Sequence, residues 1–302
     1  MAPSVTYRLA REGDLRRTYE LMLEAEGDLA RSRQMSIDEL TIPDERRALA
    51  ARAASLRDFP DRFWVAEIDG TVAGFSIAYL RDAHWHLKSL QVVPAHQGLG
   101  IGGELMRRCM VDLPPGAVRS VVSEAIQPIS NALYVRAGMY PRLVLYALAG
   151  DPAAARRMSR DQVVASAPAS DAELDELDRD VIGYARPDAH RLWRSVIDAE
   201  RFVSARWGGG LVGYAYIAND GTIGPALGRT PRDLRSVIGH SMGRLAETGS
   251  RSANVLVPGT LRPVLDGLFR AGFRIGPVPL FFMASSPAPG FRLQAFSPDG
   301  VL

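Results

Sequence analysis

Gln97-Gly98-Leu99-Gly100-Ile101-Gly102-Gly103 places glycine at four of six successive positions, between a segment that reads as a strand and one that reads as a helix. Backbone N–H groups that no side chain shields, at the positive end of a helix, hold phosphate oxygens, so this loop implies an anionic ligand. Read through Gly98, Gly100 and Gly103 it spells GxGxxG, and Glu124 ends the following strand as the acidic residue of a dinucleotide site would. Two features oppose that reading. Pro94-Ala95-His96-Gln97 separate the strand from the first glycine, and a hairpin precedes the unit instead of the unit opening the chain. On the strand before the loop, His84, His86 and Lys88 recur with period two, which predicts one shared face together with Leu90 and Val92. Cys109 stands mid-helix beside Arg107 and Arg108 and reads as packing.

These residues need elements to hold them. Val5–Leu9 reads extended, and Asp14 reads as the cap of an amphipathic helix carrying Leu15, Tyr19, Met22 and Leu23. A second helical stretch over Ser36–Arg57 is interrupted by Pro43. Phe63–Ile68, the turn Asp69-Gly70 and Val72–Leu80 read as a hairpin. Then follow a strand over Trp85–Val93, the glycine loop, a helix over Gly102–Val111, a strand over Ala117–Glu124, a helix from Ser130 and a strand over Tyr140–Leu148. Residues 150–170 read as a connector with one strand, Gln162–Ser166, and place a domain boundary at 150, giving domains 1–150 and 151–302. Beyond it the order recurs: helices Ala172–Ile182 and Ala189–Ala199, strands Arg201–Trp207 and Leu211–Ala218, helix Asp233–Glu247, strand Ala253–Val257, helix Leu261–Arg270 and strand Arg274–Met283. Val72-Ala73-Gly74-Phe75 parallels Leu211-Val212-Gly213-Tyr214, and Arg136-Ala137-Gly138-Met139 parallels Arg270-Ala271-Gly272-Phe273, as in a divergent duplication.

The run Leu90-Gln91-Val92-Val93-Pro94-Ala95-His96-Gln97-Gly98-Leu99-Gly100-Ile101-Gly102 resembles the strand and Q/R-x-x-G-x-G/A loop of the GNAT superfamily of acyl-CoA-dependent acyltransferases. Asn131-Ala132-Leu133-Tyr134-Val135-Arg136-Ala137-Gly138-Met139 is similar to that family's asparagine-to-tyrosine helix. The resemblance covers residues 5–149 well and the second half only in element order. It implies an α/β (α+β) fold of two tandem GNAT-like domains, each a mixed, mostly antiparallel sheet flanked by helices. It further implies that Gln97, Gly98, Leu99, Gly100, Ile101 and Gly102 bind the pyrophosphate of acetyl-CoA, or of another short acyl-CoA used as co-substrate. Asn131 and the main chain of Val92 and Val93 would hold the pantetheine arm, and Tyr134 would protonate the departing thiolate. The acyl group would pass directly to an amine acceptor in a ternary complex.

An alkylamine with a pKa near ~10.4 must lose a proton before it attacks, which calls for a base. His86 is the first candidate and Glu124 the second. In the second half, Leu265 and Leu268 stand where Asn131 and Tyr134 stand in the first, and Thr230-Pro231-Arg232-Asp233 reads as a self-capped helix start. That half is therefore expected to be a degenerate copy with a structural or acceptor-pocket role. The rival reading is a non-catalytic acyl-CoA sensor or interaction module.

Composition sets the outer limits. The chain has 302 residues, 47% hydrophobic and 23% charged, enough for two globular domains. A lone cysteine builds neither a disulfide nor a thiolate metal site, and no metal is expected. All cationic side chains but Lys88 are arginine, yet the carboxylates leave a net charge of only +2, which does not suggest a nucleic-acid partner. No apolar run approaches the ~18 residues of a membrane span, and the N-terminus does not read as a signal peptide. The expectation is a cytoplasmic protein with no membrane partner; a homodimer is allowed.

Overall fold

The computed structural model describes residues 4–36, 40, 44–159, 164–166, 168–197, 201–287, 291 and 293–296. The expectations at Pro43, Gln162, Val163 and residues 198–199 lie outside these. The chain divides into two compact units.

In the first unit, β1 (Val5–Leu9) pairs antiparallel with β2 (Phe63–Ile68), and β2 with β3 (Thr71–Arg81). The β2–β3 turn has positive φ at both Asp69 (50°) and Gly70 (75°), the conformation a two-residue hairpin needs. β3 continues antiparallel into β4 (His84–Val92). β5 (Val118–Glu124) runs parallel to β4, because α3 (Ile101–Cys109) carries the chain back between them. Two layers flank β3: Phe75, Ile77 and Tyr79 share one face by alternation, and Ala73, a bulge residue between Val72 (opposite Glu67) and Gly74 (opposite Ala66), turns to the other. Phe75, Ile77 and Tyr79 join Leu21 of α1 (Leu15–Ser32), with Leu56 of α2 (Glu45–Asp58) packed against them. On the opposite face Ala73, Ile101 and Leu105 pack with Leu90 and Val92. α4 (Pro128–Arg136) completes the unit together with Met283–Ser286 from far along the chain, where the Ser285 N–H donates to Arg119 O at 2.9 Å.

Asp14 does begin α1, but its carboxylate makes no cap. It accepts from the Arg11 N–H and pairs with Arg8.

One residue changes the expected face assignment. Leu87 stands opposite Ala78 while Ser89 stands opposite Ile77, so Lys88 is a bulge residue with no counterpart across the ladder in β3. Beyond a bulge the side-chain parity inverts. His84, His86 and Lys88 therefore face α1 and α2, whereas Leu90 and Val92 face α3, which corrects the single face expected for all five.

The second compact unit takes in residues 124–126 and then the chain from Pro141, within β6 (Tyr140–Gly150). From Leu145 to Gly150 this strand pairs antiparallel with β11 (Ala253–Pro258), and that pairing counts it with the later residues. The unit continues through α5 (Pro152–Ala155), β7 (Val164–Ser166), α6 (Asp171–Val181), α7 (Pro187–Val196), β8 (Phe202–Trp207), β9 (Gly210–Ile217), β10 (Thr222–Gly228) and α8 (Pro231–Glu247). After β11 come α9 (Arg262–Arg270), β12 (Arg274–Ile275), β13 (Leu280–Ala284) and β14 (Gln294–Ala295). The single strand expected over Arg274–Met283 is thus two. The strands β7 to β11 lie in the order 7-8-9-10-11, antiparallel except for β10 with β11. β10 itself is missed by the sequence pattern, because Gly224, Pro225 and Gly228 suppress the strand signal in a segment buried along its whole length.

Between α6, α7 and β9 lies a buried polar network. Asp178, fully buried, accepts from Arg186 Nε at 3.0 Å, Arg186 Nη2 at 3.2 Å and the Tyr214 hydroxyl at 2.7 Å. His190 lies 3.1 Å from the same carboxylate and 2.8 Å from the Tyr216 hydroxyl. Burial alone would raise the Asp178 pKa, but the Arg186 charge and the hydrogen bonds of His190 and Arg186 outweigh it and hold the group well below the carboxylate range. A depressed folded-state pKa contributes stability above the unfolded value, and that contribution fades as pH falls through the folded value. Asp178→Asn leaves the Arg186 guanidinium buried and uncompensated, and is expected to destabilise the protein by about 3–5 kcal/mol. Denaturant unfolding followed by Trp193 fluorescence measures this; a loss below about 1 kcal/mol, the range of exposed ion pairs, would refute it.

Candidate active site

β4 and β5 pair only over His84–Leu87 and Val118–Val121. Beyond Lys88 the two strands part. The Val93 N–H donates to Ala73 O at 2.9 Å, so in this antiparallel pair the alternate residues Leu90 and Val92 direct their N–H and C=O groups to the other edge, the one that faces the parting. Gln97 Nε2 donates to Val92 O at 3.1 Å, consistent with that direction. Val93, expected alongside Val92 as a main-chain ligand, donates its N–H to β3.

The glycine loop follows. Gly98 and Gly100 have φ of 81° and 80°, in the left-handed region that glycine adopts freely, and a Cβ at either would meet nothing within 4 Å. Gln97, Gly98, Leu99 and Gly100 are exposed, and Gly100 begins α3 with no side chain capping the helix. The first turn of α3 thus offers N–H donors to an outside acceptor, while Ile101, buried, pins the helix to the sheet. Gly102 and Gly103 do a different job. A Cβ there would lie 3.8–3.9 Å from the Leu133 methyls, an ordinary packing distance, so these two lie where α4 packs against the start of α3. α4 carries Asn131, half-buried, and one turn later Tyr134, buried.

The two candidate bases differ from expectation. His86 is 1% exposed, with Nδ1 2.9 Å from the Ser120 hydroxyl, which also lies 2.7 Å from His84 Nε2. Burial, then the neighbouring His84, Arg81 and Lys88, push the His86 pKa well below 6.5, and burial with Arg81 pushes His84 down to about 4. A base titrating near neutrality is therefore not what the strand provides. Glu124 ends β5 half-buried and counts with residues 124–126 in the second unit. Burial pushes the Cys109 thiol up to about 12, in keeping with a packing role.

A second carboxylate escaped the sequence reading. Glu26 on α1 accepts from Gln91 Nε2 at 2.9 Å, its other oxygen is buried without a hydrogen-bond partner, and burial raises its pKa.

The second unit repeats the elements and closes each of these features. Thr230 accepts from the Asp233 N–H and caps α8, and Pro231 opens the helix without an N–H. A Cβ at Gly228 would come within 2.3 Å of Leu234 N, leaving no space at that helix start. Leu265 and Leu268 are buried on α9. β10 and β11 pair in parallel only at Thr222–Ile223 with Asn254–Val255, and where they diverge the chain inserts its own segment. Gln294 and Ala295 of β14 pair with Leu227 and Ala226, and the Phe296 N–H donates to Leu256 O at 2.8 Å.

Each unit thus has a mostly antiparallel sheet with one parallel pair, and in the first that pair parts beside a glycine-rich helix start. Residues 29–139 match the model of the acetyltransferase (GNAT) family. Among solved structures, a putative acetyltransferase from Pyrococcus horikoshii has a TM-score of 0.69 at 14% identity, over 98% of this chain and 95% of that one. A GCN5-related N-acetyltransferase from Sphaerobacter thermophilus gives 0.61 at 15%, over 93% and 95%. A tandem GNAT protein from the clavulanic acid biosynthesis pathway gives 0.57 at 13%, over 94% and 99%. At these identities the likeness is one of fold. No curated protein matches the sequence. Among the described residues no helix is long and apolar enough to cross a membrane.

Gly100→Trp keeps the fold, since a Cβ there has open space, at a cost of about 1–2 kcal/mol for a left-handed non-glycine residue. Calorimetric titration is expected to give one acetyl-CoA bound per wild-type chain and at least tenfold weaker binding to the variant. Two molecules bound per chain, or unchanged affinity, would overturn the site.

Proposed function

We propose that the first unit is an N-acyltransferase that moves an acetyl or short acyl group from coenzyme A directly to an amine, and that the second unit binds no cofactor of its own. The observation that carries this reading is the free edge of β4: main-chain donors of Leu90 and Val92 face the parting of the sheet, and the uncapped start of α3 lies one short loop away. The residues fit a long anionic thioester. The loop N–H groups from Gly98 to Gly102 take the pyrophosphate, Asn131 and the β4 edge take the amide-bearing arm, and no β-carbon at Gly98 or Gly100 stands in the way.

An acyl thioester supplies a carbonyl carbon open to attack and a thiolate able to leave. The protein's part is to place and to stabilise. An edge N–H of β4 aimed at the carbonyl oxygen supports the negative charge that develops there, an effect worth about 3–4 kcal/mol per donor elsewhere. Tyr134, one turn beyond Asn131, gives its hydroxyl proton to the departing sulfur. Removal of the amine proton is the step for which the sequence offers His86 and Glu124. His86, held neutral by burial, retains a proton too weakly to be an effective base near pH 7.

Tyr134→Phe removes the donor without changing shape. It is expected to leave acetyl-CoA affinity within about twofold and to lower kcat for an amine acceptor by about 10²-fold, the low end of general acid contributions. Direct binding and steady-state turnover measure the two. Acetyl-CoA binding with no turnover across an amine panel would instead favour the sensor reading, and unchanged kcat would return Tyr134 to packing.

A further inference from the structure

Every carboxylate in the first unit whose contacts are described is either exposed or held by arginine, with one exception. Arg8 holds Asp14 and Glu67, Arg107 and Arg108 hold Glu104, and Arg17 holds Glu24. Among the described residues no cation is paired with Glu26. Its Oε1 accepts from the Gln91 amide at 2.9 Å, while Oε2, also out of solvent, accepts from nothing. Inverted parity beyond the Lys88 bulge places Gln91 on the α1 side, opposite Phe75, between Leu90 and Val92, whose backbone groups face the free edge of β4. A buried carboxylate with one oxygen fixed and the other unmet is costly unless a cation comes to it. The residue as a whole keeps partial exposure, so the site is not sealed.

We propose that Glu26 is the carboxylate that receives the cationic amine acceptor, Gln91 fixing one oxygen so that Oε2 takes the ammonium and then its proton. This rests on the acyl-transfer reading above. The acceptor R–NH3+ gives one proton to Glu26 Oε2. The nitrogen lone pair then forms the C–N bond to the thioester carbonyl carbon as the C–S bond breaks. The second nitrogen proton balances the one delivered to sulfur, leaving a neutral amide and a free thiol, and the proton on Glu26 passes to solvent. Burial supports the role, since it raises the affinity of the carboxylate for that proton.

The substrate class is thereby narrowed to primary amines that are cationic at neutral pH, in preference to amines already neutral. Glu26→Gln keeps size and hydrogen bonding but loses the charge and the proton acceptor. The test compares full-length wild type and variant on a panel of primary alkylamines and on arylamines, whose conjugate acids ionise well below neutral pH, with acetyl-CoA affinity measured in parallel. The expected result is a loss of at least 100-fold in kcat/KM for alkylamines, less than fivefold for arylamines, and acetyl-CoA binding within twofold. Equal losses for both amine classes, or activity within threefold of wild type on alkylamines, would overturn the assignment while leaving acyl transfer intact. A wild type that binds acetyl-CoA and acylates no amine overturns the transfer reading and the role of Glu26 with it. Should Glu26→Gln fail to fold, Glu26→Asp, which keeps the charge one methylene further back, is expected to show a partial loss confined to alkylamines, and an equal loss for both classes refutes the proposal.

Discussion

The first unit depends on one inserted residue. Lys88 has no opposite number on β3, and the strand answers by changing the parity of every side chain after it. Before the bulge, β4 is an ordinary central strand, paired on both sides and buried. After it, Leu90 and Val92 drop into the core beside α3, and Ser89 and Gln91 turn to α1. At the same point β5 leaves. A regular strand would have kept His84 through Val92 on one face and brought neither Gln91 to Glu26 nor Leu90 to the α3 layer.

The same two facts explain what sequence reading reached and what it did not. The glycine loop was legible because its physics is local: positive φ and bare N–H groups demand glycine at those positions whatever the rest of the fold does. The hairpin at Asp69-Gly70, the short helix with Asn131 and Tyr134, and the self-capped start of α8 were legible for the same reason. The bulge was not. Nothing in His84-Trp85-His86-Leu87-Lys88-Ser89 marks Lys88 as the extra residue, because a bulge is settled by the register of the neighbouring strand. Glu26 was missed because helix α1 carries many acidic and basic residues, and only the approach of Gln91 distinguishes this one. β10 and the inserted β14 were missed because both owe their strand conformation to neighbours and not to their own composition.

His86 shows how burial changes what a residue type suggests. Its type and position suggest a base, and an isolated imidazole would titrate near neutrality. Burial against Ser120 and a row of positive neighbours reverses that, because each disfavours the imidazolium. Carboxylates respond to burial in the opposite sense, since desolvation raises their proton affinity. Burial thus lowers the proton affinity of a histidine and raises that of a glutamate.

The two copies differ at corresponding places. In the second unit Thr230 caps α8, the stretch from Gln294 to Phe296 fills the divergence of β10 and β11, and Asp178 is matched by Arg186, Tyr214 and His190. A capped helix start and an occupied divergence leave fewer backbone groups open there. The first unit leaves the start of α3 uncapped, parts β4 from β5, and keeps one oxygen of Glu26 unmet. Each unmet group costs stability on its own, by about 1–3 kcal/mol when buried. That asymmetry is what the proposed division of labour requires: an open helix start and strand edge in the copy proposed to hold the thioester, and closure at the same places in the other.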